Sequence, residues 1–328
     1  MVTAAPAGVG VRAVLLVWLL AAPAAAQTHV LVVSGIGGEA RYQDAFLATG
    51  LAVVAAAEDR LGVAPARIQY LAEDPGRDRR ISGRSTKEEI TNALQTLAGE
   101  AEPAAVLLIV LIGHGAASGE GARINLPGPD LSADQFAVLL APFRTQQIIV
   151  VNASSASGDW ARILAGPRRV VLTATRSSVE REETQFGQHF ATALASDEAD
   201  RDKDGRLSVL EAFEYARREV ERAYERDQRL RTEHPLLEAD GDGVGTMEPV
   251  LTDGDGAAAA ALFLGNRAGG APLTGLAAVR DSLEREVLRL RGMKESMTQE
   301  AYDRRLESLL LELARVSREL REQEGRKP

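Results

Sequence analysis

Cysteine is absent from the chain's 328 residues. That excludes disulfides, thiolate metal sites, iron–sulfur clusters and any cysteine nucleophile. Lysine is scarce, at Lys87, Lys203, Lys294 and Lys327 only, so nearly all the basic charge is arginine. Acidic residues outnumber basic ones, 47 to 38, for a formal net charge of −9. This balance argues against non-specific nucleic-acid binding, which needs basic side chains to neutralise phosphates. Aromatics are only 4% of residues, but the 45% apolar content supports a real core and excludes a wholly disordered chain.

Long apolar runs are also missing. Residues 1–26 carry one charge, Arg12, then the run Ala13 to Leu20, then an alanine-rich stretch ending at Ala26. A basic start, an apolar centre and small residues before a cleavage point have the order of an export signal. The run is shorter than the ~20 residues that span a bilayer. The expected location is therefore periplasmic or secreted, with an uncleaved anchor or a buried helix as the alternative.

What remains alternates between strand-like and helix-like segments. His29 to Ser34, Arg67 to Leu71, Ala104 to Ile112, Gln147 to Val151 and Arg169 to Ala174 are short apolar runs. Helical spacing lies between them, at Tyr42 to Leu61, Thr86 to Leu97 (opened by a capping-box pattern from Ser85) and Ser132 to Leu140. Continuous apolar strands separated by helices predict a mostly parallel, three-layer α/β/α sheet. Ligands in such sheets sit beyond the carboxyl ends of the strands.

Two of those ends carry a resemblance. The strand Ala104 to Ile112 runs into Gly113-His114-Gly115, and Gln147 to Val151 runs into Asn152-Ala153-Ser154-Ser155-Ala156-Ser157-Gly158. Leu126-Pro127, Leu131 and the segment Val170 to Gly187, with its Thr173-Ala174 pair, complete the set. This order resembles the caspase–legumain class of cysteine peptidases, the legumain-like branch in particular, over residues 29 to about 196. The resemblance implies a caspase-like sheet, with His114 as acid/base and the Gly115 backbone as part of an oxyanion pocket. It places Ser155 where the family has its cysteine, and Ala153 where legumain-like enzymes often carry an acid. A shift of one residue would put Ser154 in the slot and Asn152 in the acidic position. A serine hydroxyl needs a base in direct hydrogen-bond contact and a group to orient that base. The leading expectation is a catalytically impaired binding or regulatory module. The alternative is a slow serine hydrolase using Ser155 and His114. The resemblance also places Arg176 near a primary specificity pocket, against the simpler reading of a surface residue or internal ion pair.

A separate pattern concerns metal. Asp200-Arg201-Asp202-Lys203-Asp204-Gly205-Arg206-Leu207-Ser208-Val209-Leu210-Glu211 fits the calcium-loop pattern D-x-D-x-D-G-x5-E. Asp200, Asp202 and Asp204 would converge hard oxygens, Arg206 would add its carbonyl, Ser208 stands at the water-bridged position, and Glu211 would close the site bidentately. Helical spacing on both sides, Thr184 to Ser196 and Val209 to Arg222, predicts an EF-hand for Ca2+. A solvated acidic turn is the alternative. A second stretch, Glu238 to Gly243, is partial: its twelfth residue is Pro249. It reads as a loop or a weak, irregular ion site.

The chain divides into a signal (1–26), a caspase/legumain-like domain (27–265), a linker (266–274) and a helical hairpin (275–325). Ala257 to Gly265 reads as the last buried segment of the domain. In the hairpin, Leu276, Val279, Leu283, Val287 and Leu290 line one face, and Tyr302, Leu306, Leu309, Leu313, Val316 and Leu320 follow a heptad seam. Intramolecular packing, a homodimer and capture of a protein or peptide partner are all compatible with such a hairpin.

Overall fold

A computed structural model describes residues 27–119, 121–265, 275–292, 294 and 297–324. The signal expected at 1–26 and the linker expected at 266–274 lie outside the described residues.

The first half of the domain builds β1 (Thr28–Ser34), α1 (Ala40–Asp59), β2 (Ile68–Ala72), β3 (Gly83–Arg84), α2 (Lys87–Glu100) and β4 (Val106–Ile112). A small antiparallel sheet follows, β5 (Gly115–Ser118), β6 (Gly121–Ile124) and β7 (Leu131–Ser132). Then come α3 (Ala133–Leu140), β8 (Gln147–Asn152), α4 (Asp159–Leu164), β9 (Arg169–Thr173) and α5 (Phe186–Ala195). The chain closes with α6 (Val209–Arg226), β10 (Leu236–Glu238), α7 (Gly254–Ala260), α8 (Leu276–Gly292) and α9 (Gln299–Glu324).

The main sheet has seven strands in the order β10-β9-β8-β4-β1-β2-β3. All neighbours are parallel except β10, which pairs antiparallel with β9 at the edge. All seven residues of β4 are buried, as a strand covered on both faces requires. Its side chains alternate between two cores. Leu108, Val110 and Ile112 join Val53, Phe186, Phe190 and Phe213 from α1, α5 and α6. Leu107, Ile109 and Leu111 join Ile90, Phe136 and Trp160 from α2, α3 and α4. Burying each such aliphatic side chain is worth roughly 1.5–3 kcal/mol. The result is the three-layer α/β/α sheet.

Helix starts follow local chemistry. Ser132 caps α3 with a complete capping box through Gln135. Thr86, rather than Ser85, caps α2 by accepting the Glu89 N–H. The last buried segment of the domain is α7 together with residues 262–264, which pair with the chain around Ser208.

The sheet reverses its winding between β1 and β4. The connection from β1 runs to β2 on one side, and the connection from β4 runs to β8 on the other. A crevice opens at such a switch point beyond the strand ends. The loops carrying Gly113-His114-Gly115 and Asn152 to Gly158 leave the sheet there, on adjacent strands.

α8 and α9 pack together, with Arg305 of α9 paired to Glu286 of α8 at 2.6 Å. Of the expected apolar faces, Val287, Leu290, Tyr302 and Val316 are buried, whereas Val279 is exposed. α8 rests on α7, so the hairpin is seated on the domain.

Candidate functional site

Ser155 leaves the end of β8 and meets the loop from β4. Its Oγ accepts the Gly115 N–H at 3.1 Å and donates to the Gly115 carbonyl at 3.3 Å. Ser155 is buried, 3% exposed. The Ser154 hydroxyl also lies against Gly115, 3.0 Å from where a Cβ there would stand, and donates to Asn152 Oδ1 at 2.6 Å. Both serines that the sequence offers for the nucleophile slot thus lie against Gly115, and Ser155 is the one hydrogen-bonded to it. The approach of the two loops depends on Gly115, because a Cβ there would lie 2.1 Å from the Ser155 carbonyl oxygen.

His114 stands elsewhere in the crevice. Its ring lies edge-on against Tyr42, 4.5 Å between centroids, and against Phe46, 5.1 Å, both on α1. Burial pushes its pKa below the ordinary histidine value, opposed by a hydrogen bond with the Gly37 backbone and by the Glu183 charge. The ring is therefore neutral at pH 7. Among the described residues no hydrogen bond joins His114 to Ser155, and no carboxylate hydrogen-bonds to the imidazole. The Gly115 N–H expected to line an oxyanion pocket is occupied by the serine hydroxyl itself.

The turn after Ser155 is held from below. Ala156 adopts φ of 52°, a left-handed conformation that disfavours a Cβ, and its N–H donates to the Glu180 carbonyl at 2.7 Å. The Ser157 hydroxyl and the Gly158 N–H both meet Thr175 Oγ1, at 3.2 and 3.0 Å, joining the Ser-Gly pair to the loop after β9. Arg176 belongs to this support. Its Nε pairs with Glu180 Oε1 at 3.0 Å, with the arginine half exposed and the glutamate largely buried beneath it.

Several residues here carry no signal in the sequence. Glu180 also accepts from the His234 ring at 2.7 Å and the His234 N–H at 3.2 Å. Glu233, 1% exposed, accepts the N–H groups of Gln185 and Phe186 at 2.8 and 2.7 Å, where α5 begins. Burial pushes its carboxyl up to about 8 against those hydrogen bonds, with Glu180 and Glu183 adding to the rise. Beside Phe46, a cavity of about 370 Å³ at the ends of β1 and β2 is lined by Ser34, Gln43, Tyr70, Glu73 and Arg77.

The calcium-pattern loop forms a compact turn. One oxygen each of Asp200, Asp202 and Asp204 lies within 4.8 Å of the others. Asp200 Oδ2 accepts the Gly205 N–H at 3.0 Å, while its Oδ1 is buried without a partner among the described residues. Glu211 reaches back: Oε1 accepts the N–H groups of Arg201 at 2.9 Å and Asp202 at 3.4 Å, and Oε2 accepts the Ser208 N–H at 2.9 Å and its hydroxyl at 2.8 Å. Burial raises the Asp202 carboxyl, and Asp204, Glu211 and Asp200 raise it further. The Arg206 side chain folds over the Phe263 ring at 3.7 Å and pairs with Asp204 at 2.7 Å, leaving its role in the pattern to its carbonyl. The helices around the loop are unequal. α6 starts at once after Ser208, its cap, but α5 stops at Ala195, and Ser196 to Ala199 bring the chain to Asp200. The entering helix thus falls inside the expected Thr184 to Ser196 and ends one residue earlier.

No family model matches the chain, and no curated protein matches it either. Solved structures do. A protein of Geobacter sulfurreducens is 12% identical with a TM-score of 0.42, covering 64% of this chain and 92% of that one. Caspase-1 from Spodoptera frugiperda is 11% identical with a TM-score of 0.41, covering 65% and 86%. The protein drICE is 9% identical with a TM-score of 0.36, covering 65% and 86%.

Proposed function

We propose that this chain is a catalytically silent, calcium-stabilised binding module on a caspase–legumain-like scaffold, exported from the cytoplasm. One observation carries the silence: the Ser155 hydroxyl is closed onto both backbone groups of Gly115, while His114 is wedged between Tyr42 and Phe46. A hydroxyl becomes a nucleophile when a base removes its proton, and a base works when a third group holds it in place. Here the hydroxyl proton has a carbonyl partner, and the imidazole has aromatic neighbours. The motif resemblance at Gly113-His114-Gly115 and Ser157-Gly158 supports the scaffold. The converging Asp200, Asp202 and Asp204 oxygens support a structural Ca2+ at residues 200–211, with Glu211 closing it and the Arg206 carbonyl completing it. The basic–apolar–small order of residues 1–26 supports export. The binding role falls to the crevice at the strand ends and to the hairpin α8–α9, toward a protein or peptide.

The test is direct. Full-length protein, with and without calcium, is incubated with peptides offering Asn-Xaa, Asp-Xaa and Arg-Xaa bonds. Turnover equal to that of Ser155→Ala is expected. Cleavage that Ser155→Ala abolishes would replace this reading with the serine-hydrolase one.

A further inference from the structure

The partial acidic turn Glu238 to Gly243 repeats the turn hydrogen bonds of the calcium-pattern loop. In the first loop the sixth residue donates to the first carboxylate, Gly205 to Asp200 at 3.0 Å; in the second, Gly243 donates to Glu238 at 3.3 Å. The fifth donates to the third at 3.1 Å in both, Asp204 to Asp202 and Asp242 to Asp240. The seventh donates to the fifth, Arg206 to Asp204 at 2.7 Å and Val244 to Asp242 at 2.6 Å. The fourth and sixth residues are left-handed in both, Lys203 and Gly205 at φ of 60° and 79°, Gly241 and Gly243 at 89° and 80°.

Pro249 stands where the closing carboxylate should be, but Asp255 makes the backbone contacts that Glu211 makes in the first loop. Glu211 Oε1 holds the N–H groups of the second and third residues of its loop, Arg201 and Asp202. In the second loop the same two positions, Ala239 and Asp240, donate to Asp255 Oδ1 at 2.6 and 3.3 Å. Each closing carboxylate comes from the first turn of a following helix, Glu211 from α6 and Asp255 from α7. Sequence spacing hides the match because the chain takes a longer path before α7 begins. Gly254 lets that helix come close, since a Cβ there would lie 2.0 Å from Asp240 Oδ2.

Turn geometry alone would fit any acidic loop. What points to a ligand is Glu238. It is 0% exposed, Oε1 serves Gly241 and Gly243, and Oε2 is buried with no hydrogen-bond partner among the described residues. One oxygen each of Glu238, Asp240 and Asp242 lies within 4.8 Å of the others. A carboxylate oxygen withdrawn from water needs a compensating charge. A proton on Glu238 would also relieve it, but the Asp240 and Asp242 oxygens that converge with it form a cradle that serves a cation and not a proton. An all-oxygen cradle of uneven carboxylates suits calcium, which takes six to eight oxygens at flexible angles, better than magnesium, which demands an octahedron.

We infer that Glu238, Asp240, Asp242 and Asp255 form a second calcium site, separate from residues 200–211. The Val244 carbonyl stands at the position that Arg206 holds in the first loop. The site ties the edge strand β10 to α7, and α7 carries the hairpin through α8. Bound calcium therefore fixes the seat of the hairpin as well as the sheet edge.

Calorimetry and native mass spectrometry with calcium alone, on the full chain, test this. Two equivalents are expected for the parent protein, one for Glu211→Gln, one for Asp242→Ala, one for Asp255→Asn, and none for Glu211→Gln combined with Asp242→Ala. Asp242 is exposed, so its variant tests the site even if Asp255→Asn fails to fold by circular dichroism. A parent that binds one equivalent, lost in Glu211→Gln and kept in Asp242→Ala, overturns the second site and leaves the first standing. One equivalent lost in Asp242→Ala and kept in Glu211→Gln supports the second site and removes the first. Two equivalents that persist in Asp242→Ala overturn the inference, and no binding overturns both.

Discussion

The Gly115 N–H donates to Ser155 Oγ, and the same hydroxyl donates back to the Gly115 carbonyl. The serine thus acts as a clasp between the β4 and β8 loops. Its removal leaves two backbone groups of a half-buried glycine short of a partner. Ser155→Ala is therefore expected to cost ~1–3 kcal/mol of stability. Urea unfolding measures it, and an unchanged midpoint would show that the clasp carries no weight.

Gly115→Ala tests the same contact from the other side. The new methyl would press on the Ser155 carbonyl, a backbone atom that cannot rotate away. Overpacking of this kind costs roughly 1–3 kcal/mol, and here it separates the loops as well. The expected result is a lowered thermal midpoint and a changed chemical shift for the Ser155 amide. Retention of both would contradict the close approach.

The calcium proposed at residues 200–211 would make stability depend on mass action. A ligand present at ~100 times its Kd adds about 2.7 kcal/mol. Loops of this kind in extracellular modules bind with Kd on the order of 10⁻⁴–10⁻³ M, so tens of millimolar calcium is the range to use. The thermal midpoint should rise with calcium and fall back with chelator, and Glu211→Gln should blunt the rise. No rise at any calcium concentration would rule out the site.

Much of this was legible in the residues, for identifiable reasons. β4 announced itself because both of its faces are buried, which leaves an unbroken apolar run. α3 was legible because Ser132 and Gln135 form a local cap. The 200–211 loop was legible because its bonds span few residues. The edge strand β10 and the sheet β5–β7 were not, since strands of two to four residues show no period. The surroundings of His114 were hidden for another reason: Tyr42 and Phe46 lie on a helix far away in sequence, and only the crossover from β1 brings them together. Glu180, Glu233 and His234 are likewise joined across some fifty positions, and nothing local marks any of them.

His114 offers a titration. Its pKa is held below the ordinary value chiefly by burial, so the folded state binds less proton than the unfolded chain just below pH 6.5. Stability from the neutral ring is present above the unfolded pKa and lost as pH falls through that window. Proton NMR should show the ring titrating below 6.5. Phe46→Ala, which opens the site to water, should move the midpoint upward. A midpoint at or above 6.5 in the parent protein would mean the ring is solvated or paired with an acid.

Glu233 behaves in the opposite sense. Two N–H groups at the start of α5 favour its anion, but burial favours the neutral acid and prevails, with Glu180 and Glu183 reinforcing it and Tyr224 nearby. A carboxyl raised from 4.5 to about 8 keeps its proton in the folded state while the unfolded chain has lost it. Between those two values the folded state binds more proton, so stability falls as pH rises, by up to ~1.4 kcal/mol per pH unit for one group. Glu233→Gln imitates the neutral acid and cannot ionise. Its stability should therefore be flatter than the parent's across that range, and the two curves should lie closest at the acidic end of the window, where both side chains are neutral, and furthest apart at the alkaline end, where the unfolded parent has gained from ionising. Urea unfolding at half-unit pH steps measures both curves. Parallel curves for the parent and Glu233→Gln would show that the carboxyl is ionised in the fold, with the N–H pair of α5 outweighing its burial.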